Sequence, residues 1–284
     1  MWKKILPMTL VLVVVFSFAA CAGGPSAQEI IAGVTESLDD ITSYQFDMDM
    51  TMDMAGEAEG EAFEMTMTMG FSGALDLENR QVRADITMSM VVPGEDEMEV
   101  GMEIYIIDDM GYMMTDMLEM EPTWMKEEIS EADWEEVSEG MRLAEPQLEL
   151  LQGAQVEVIG SETVKGIDCY VFQLIPDMGQ LWQTVMQQTR VAGEEILPEV
   201  EEIFLEEVFR SFSVKQWVAK DTYFITKAEI DMVMELTPEA MGFPEEEGEM
   251  TMNITMTLLA YDYNEPVSIE LPPEALEALD VTQQ

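Results

Sequence analysis

The chain has 284 residues, 48% hydrophobic and 8% aromatic, which suits one well-packed domain better than two. Against 12 Lys plus Arg it carries 59 Asp plus Glu, with no histidine and a formal charge of −47. Such a surface repels phosphate and argues against nucleic acid or direct docking on anionic headgroups. The missing histidine removes Ser-His-Asp, Cys-His and H-E-x-x-H chemistry.

Lys3 and Lys4 form a basic start, and Ile5 to Phe18 is an apolar run, short for the ~20 residues that span a bilayer. Phe18-Ala19-Ala20-Cys21 closes it and resembles the lipobox of bacterial lipoproteins, with Phe18 where leucine is usual. The resemblance implies a signal peptide at 1–20 and a lipidated, membrane-anchoring Cys21. A tether then covers 21–27, and one domain at 28–284 lies in the cell envelope, outside the cytoplasmic membrane. Removing a segment with two lysines and no acid leaves 10 − 59 = −49. Cys169, in DCYVF, is then expected to be a buried, inert thiol without a disulfide partner.

Ser26 and Glu29 have the spacing of a capping box, and Ile30, Val34, Leu38 and Ile41 make one helical stripe behind it. From Tyr44 the period changes to two. Tyr44, Phe46, Met48, Met50, Met52 and Met54 alternate with Gln45, Asp47, Asp49, Thr51 and Asp53, which predicts a strand with one soft apolar face and one acidic face. Phe63, Met65, Met67, Met69, Phe71, Leu75 and Leu77 repeat the pattern, with Gly73 as the one break and Gly70 and Gly73 suggesting a bend. Val82 to Met90, Met98 to Ile106 and Tyr112 to Met114 follow, separated by turn signals at Asn79, Pro93-Gly94 and Asp108-Asp109. Short links of this kind predict an antiparallel meander.

Over 122–151, Trp124, Ile129, Trp134, Val137 and Met141 are spaced for helix, with a cap at Ser130 and Asp133. Strands return at 155–159 and 167–175 around Lys165-Gly166. Helix is expected over 180–212, on Leu181, Trp182 and Val185 and then, from Pro198, on Val200, Phe204 and Val208. Strands run again over 212–218, 224–234 and 250–258, and the Glu-rich 244–249 reads as a loop. Val267 to Leu271 is a short extended run, and Pro272-Pro273 opens a last helical turn. Nine or ten strands with few helices fit an α+β fold, a large curved antiparallel sheet whose concave face the helices cover.

The order of these pieces is similar to a known family. A lipoprotein signal leads to a helix and to SYQF, then come ETVKGIDCYVFQLIP, VKQWVAKDTYFITKAEI and the closing YDYNEPVSIELPPEALEAL. Together they resemble the LppX/LprG-type envelope lipoproteins and, more distantly, the LolA/LolB carriers. The resemblance covers 28–279. It implies a half-open β-barrel that holds acyl chains beneath helices, lipid transport or retention in the cell envelope, and no catalytic residue.

Three readings of the methionine face stand side by side. Methionine is an adaptable apolar filler, and a wall of it suits a cavity for flexible hydrocarbon. On that reading Met48, Met50, Met52, Met65, Met67, Met69, Met88, Met90 and Met102 line a site for a lipid or lipidated ligand. Thioethers also suit Cu(I), although same-face neighbours on one strand stand ~7 Å apart. The third reading is a non-enzymatic surface module for an envelope protein partner. No enzyme chemistry and no cofactor is expected. The acidic excess has no D-x-D-x-D-G run and reads as a solvated coat rather than an EF-hand.

Overall fold

A computed structural model describes residues 25–58, 61–94, 96–117, 122–141, 154–176, 208–237 and 248–281. The segment at 1–20, Cys21, the helical stripes on Leu181, Trp182, Val185, Val200 and Phe204, and most of the Glu-rich loop lie outside these residues.

Helix α1 (Ala27–Ser37) starts at the expected box. Ser26 N donates to Glu29 Oε2 at 2.7 Å, and Glu29 N donates to Ser26 Oγ at 3.3 Å. Then come β1 (Ser43–Ala58), β2 (Glu61–Asp76), β3 (Gln81–Val91), β4 (Met98–Ile107), β5 (Met110–Met117) and β6 (Thr123–Glu128). Helix α2 (Glu131–Met141) follows, and its start is held by Ser130 N donating to Asp133 Oδ2 at 2.9 Å. The chain continues through β7 (Ala154–Val164), β8 (Ile167–Pro176), β9 (Phe209–Ala219), β10 (Ile225–Leu236), β11 (Met250–Tyr261), a 3-10 turn (Pro273–Glu277) and β12 (Leu279–Asp280).

The twelve strands among the described residues form one sheet in the order β12-β6-β5-β4-β3-β2-β1-β11-β10-β9-β8-β7. It is curved and unclosed, and antiparallel except where β12 runs parallel to β6. The hairpins turn where the residues permit positive φ. Asp108 (φ 53) and Asp109 (φ 60) link β4 to β5, and Lys165 (φ 47) and Gly166 (φ 87) link β7 to β8. Both are two-residue loops of the type that matches strand twist. At the β2–β3 turn, Asn79 N donates to Asp76 Oδ1 at 2.9 Å.

Two expectations need correction. Trp124 lies in a strand, not a helix, because 123–128 pairs with β5 and the helix begins only beyond Ser130. Likewise 209–211 belongs to β9 and pairs with β10. Gly70 and Gly73 do not interrupt β2, whose pairing with β1 runs without a register shift from Glu61 to Asp76. Gly73 instead makes room. A Cβ there would stand 2.8 Å from the Phe46 ring directly across the pair, so the ring fills the side-chain position that glycine leaves empty.

Both helices pack on the face that carries the even residues of β1. Ile30 and Val34 of α1 join Phe172, Leu174, Val214, Val218 and Ile225. Trp134 of α2 joins Tyr44, Phe46, Leu75, Val82, Ile106 and Ala260. The opposite face is not uniformly wet: Val267, Ile269 and Leu271 cover Ala74, Tyr105, Tyr112 and Trp124 there. The tail is pinned by Asn264, which accepts from Thr42 N at 2.8 Å and donates to the Asp40 carbonyl at 2.8 Å.

Candidate functional site

Register fixes which residues share a face, because directly paired residues on neighbouring strands project to the same side. One cross-strand row reads Leu174, Val214, Ile230, Met256, Met50, Met69, Met88 and Val100, from β8 through to β4. The next reads Phe212, Met232, Ile254, Met52, Met67, Met90 and Met98. Beyond it stand Met234, Met252, Met54 and Met65. On the other side of the first row lie Phe172, Gln216, Ala228, Leu258, Met48, Phe71, Ile86 and Met102.

The pairing thus brings Met48, Met50, Met52, Met65, Met67, Met69, Met88, Met90 and Met102 onto one continuous surface. It adds Met54, Met98, Met232, Met234, Met252 and Met256. Their signal was present in the sequence as the same alternation, at Met54 and Met98 on β1 and β4 and at the others on β10 and β11. Only the order of strands shows that β11 lies beside β1, with β10 next beyond it.

The composition of this face changes along the strands. β1 passes from Tyr44 and Phe46 to methionine, β2 from Leu75 and Phe71, β3 from Val82, Ala84 and Ile86, and β11 from Ala260 and Leu258. Tyr44, Phe46, Leu75, Val82, Ala84, Leu258 and Ala260 are buried, whereas no methionine among the described residues is. The methionines are half-buried, and Met98 is 49% exposed. One end of the face is therefore filled by the protein's own side chains, and the other is a half-buried apolar wall.

Charge is segregated from that wall. The rows just given contain no Lys, Arg, Asp or Glu. Cations and acids meet on the reverse side, where Lys227 Nζ lies 4.4 Å over the Trp217 ring, Arg83 pairs with Asp85 at 3.0 Å, and Thr66 Oγ1 donates to Asp53 Oδ1 at 2.7 Å. Cys169 also belongs to the reverse side. It is buried with Val171 and Trp217, its sulfur lies 3.2 Å from Thr226 Oγ1, and burial pushes the thiol pKa up, which makes a poor nucleophile. Among the described residues no group of three or more His, Cys, Asp or Glu is placed to hold a metal ion, and no helix is long and apolar enough to cross a membrane.

One residue of the face went unremarked in the sequence. Gln216 lies in the row of Met48 and is fully buried, and among the described residues neither its Nε2 nor its Oε1 has a hydrogen-bond partner. The signal for it is a lone amide at an inward position of an apolar alternation, Val214-x-Gln216-x-Val218.

Residues 26–280 match a family described as a family of unknown function, DUF6612. The chain belongs to that family. No curated protein matches this DUF6612 chain. Solved structures similar to it include the lipoprotein LppX of Mycobacterium tuberculosis, at 14% identity and TM-score 0.38 over 86% of this chain and 100% of that one. LprF of Mycobacterium bovis is similar at 12% identity and TM-score 0.40, over 88% and 99%. A DUF1329 family protein of Desulfovibrio piger is similar at 12% identity and TM-score 0.23, over 86% and 96%.

Proposed function

We propose that this protein is a non-enzymatic envelope lipoprotein that holds the acyl chains of a lipid, or of a lipidated ligand, against its methionine wall. The carrying observation is the switch along β1, β2, β3 and β11 from buried aromatic and branched residues to half-buried methionine, on rows without charge. A polar protein does not leave so continuous an apolar surface without use for it. Unbranched, polarizable thioethers conform to chains of varied shape, whereas a core with one packing favours Ile and Leu. The acyl chains lie along the rows of Met50 and Met52, with Met48, Met65, Met67, Met69, Met88, Met90 and Met102 around them. Cys21 carries the lipid anchor that keeps the protein extracytoplasmic and at the membrane.

Mass spectrometry of the protein isolated from its native membranes tests this reading. The expected result is co-purified lipid, with uptake of a fluorescent fatty-acid probe after its removal. Absence of both refutes it.

Pairing also supports a second reading. Met50 stands directly opposite both Met256 and Met69, and Met69 opposite Met88, so thioethers face each other across strands with Cα atoms about 4.5–5.5 Å apart. That is closer than neighbours along one strand, and it gives Cu(I) a soft donor set. Tight, stoichiometric Cu(I) in a titration read by mass would favour this reading over lipid.

A further inference from the structure

Gln216 is a polar group in the wrong place for a plain core. Val214 and Val218 flank it on β9, Phe172 faces it from β8, and Ala228 faces it from β10. Val214, Val218 and Phe172 are packed with Ile30 and Val34 of α1, so the amide is enclosed where the helix meets the sheet. An amide buried without a partner is costly, and an apolar residue of the same size would remove the penalty. Its row nevertheless leads past the small Ala228 and Leu258 directly to Met48 and the methionine wall.

We propose that Gln216 is the polar anchor of the ligand site and selects an uncharged, ester-bearing headgroup with a free hydroxyl, the chemistry of a diacylglycerol. This rests on the lipid reading above. Nε2 donates to an ester carbonyl and Oε1 accepts from the hydroxyl, so both orphaned atoms are satisfied only when ligand is present. The acyl chains then run from Ala228 across Met48 and Met50. An ionised headgroup is disfavoured, because no Lys or Arg lies on these rows to offset a buried charge. The amide is enclosed without ligand, so its engagement accompanies a shift of α1.

The test uses the mature chain and two probes with the same fluorophore, a labelled diacylglycerol and a labelled alkane without ester or hydroxyl. Wild type is expected to prefer the diacylglycerol by about tenfold or more, as two net hydrogen bonds imply. Gln216→Leu and Gln216→Met are expected to abolish that preference and to raise the melting temperature of the empty protein. Equal binding of both probes by wild type overturns the anchor whether or not the variants fold. So do folded variants that keep the preference. Wild type that takes up neither probe overturns the lipid reading itself.

Discussion

Replacing Gly33 by alanine gives a sign that the packing of α1 decides. In an open helix the change stabilises by about 1 kcal/mol, since glycine is the poorer helix former. Here a Cβ on Gly33 would stand 2.6, 2.7 and 2.9 Å from three atoms of the Tyr223 ring, closer than carbon atoms approach. Overpacking of this kind costs about 1–3 kcal/mol, so Gly33→Ala should destabilise by roughly 0–2 kcal/mol in the native background. With Tyr223→Ala the ring is gone. Position 223 keeps its positive φ of 60 with either residue, so the backbone strain stays the same in the comparison. Gly33→Ala in that background should then stabilise by up to about 1 kcal/mol. Denaturant unfolding of the four proteins in the cycle measures the difference. An effect of the same sign and size in both backgrounds would refute the claim that glycine is present to seat α1 on Tyr223.

Three other outcomes follow from named groups. Tyr263 donates from its buried hydroxyl to the Ile225 carbonyl at 2.7 Å and stacks on Tyr44, and burial pushes its pKa far up. Tyr263→Phe should cost about 1–3 kcal/mol through the orphaned carbonyl, read as a lower melting temperature. Glu29 and Asp133 are held below their usual pKa, Glu29 mainly by the backbone N–H of Ser26 and Asp133 mainly by the Ser130 hydroxyl. Their contribution is present above the unfolded pKa and lost as pH falls through the lower folded value. A Glu29→Gln, Asp133→Asn variant should therefore lose stability at pH 7 and show a shallower loss below pH ~4. Finally, a net charge of −47 repels itself, so the unfolding midpoint at neutral pH should fall when salt is lowered; a midpoint indifferent to salt contradicts the solvated-coat reading.

The strands were legible wherever period-two alternation was unbroken. β1, β3, β10 and β11 lie where the methionines and their polar partners place them, and the hairpins at Asp108-Asp109 and Lys165-Gly166 follow from residues that tolerate positive φ. The capping boxes at Ser26 and Ser130 were equally local. Failure came where two periods adjoin. Trp124 and Trp134 fall at a helical spacing, yet the first belongs to an outer strand of the sheet and the second to α2, and only pairing with β5 separates them. Strand order was also beyond local reading, since β1 pairs with β11 across some two hundred residues of chain. That pairing is what makes the methionine stripes one wall. Gln216 needed burial and an empty hydrogen-bond account, neither of which alternation supplies.

The change of residue type along each strand bears on how stability and binding are divided. Were methionine only filler, it would be scattered along the face. Instead β1, β2, β3 and β11 make the change within neighbouring cross-strand rows, around Met48, Phe71, Ile86 and Leu258. On one side of those rows, Phe46, Leu75 and Val82 interlock with Trp134, and truncating such a side chain leaves a cavity costing about 2–5 kcal/mol. On the other side the methionines are half-buried already, so truncation removes less from the fold. On the proposed lipid reading, the half of the face that meets hydrocarbon is the half that contributes less to the packing of the fold. Gln216 stands at the inner margin of the arrangement, next to the packed cluster under α1 and one small residue from Leu258, where a ligand's polar group would have to stop.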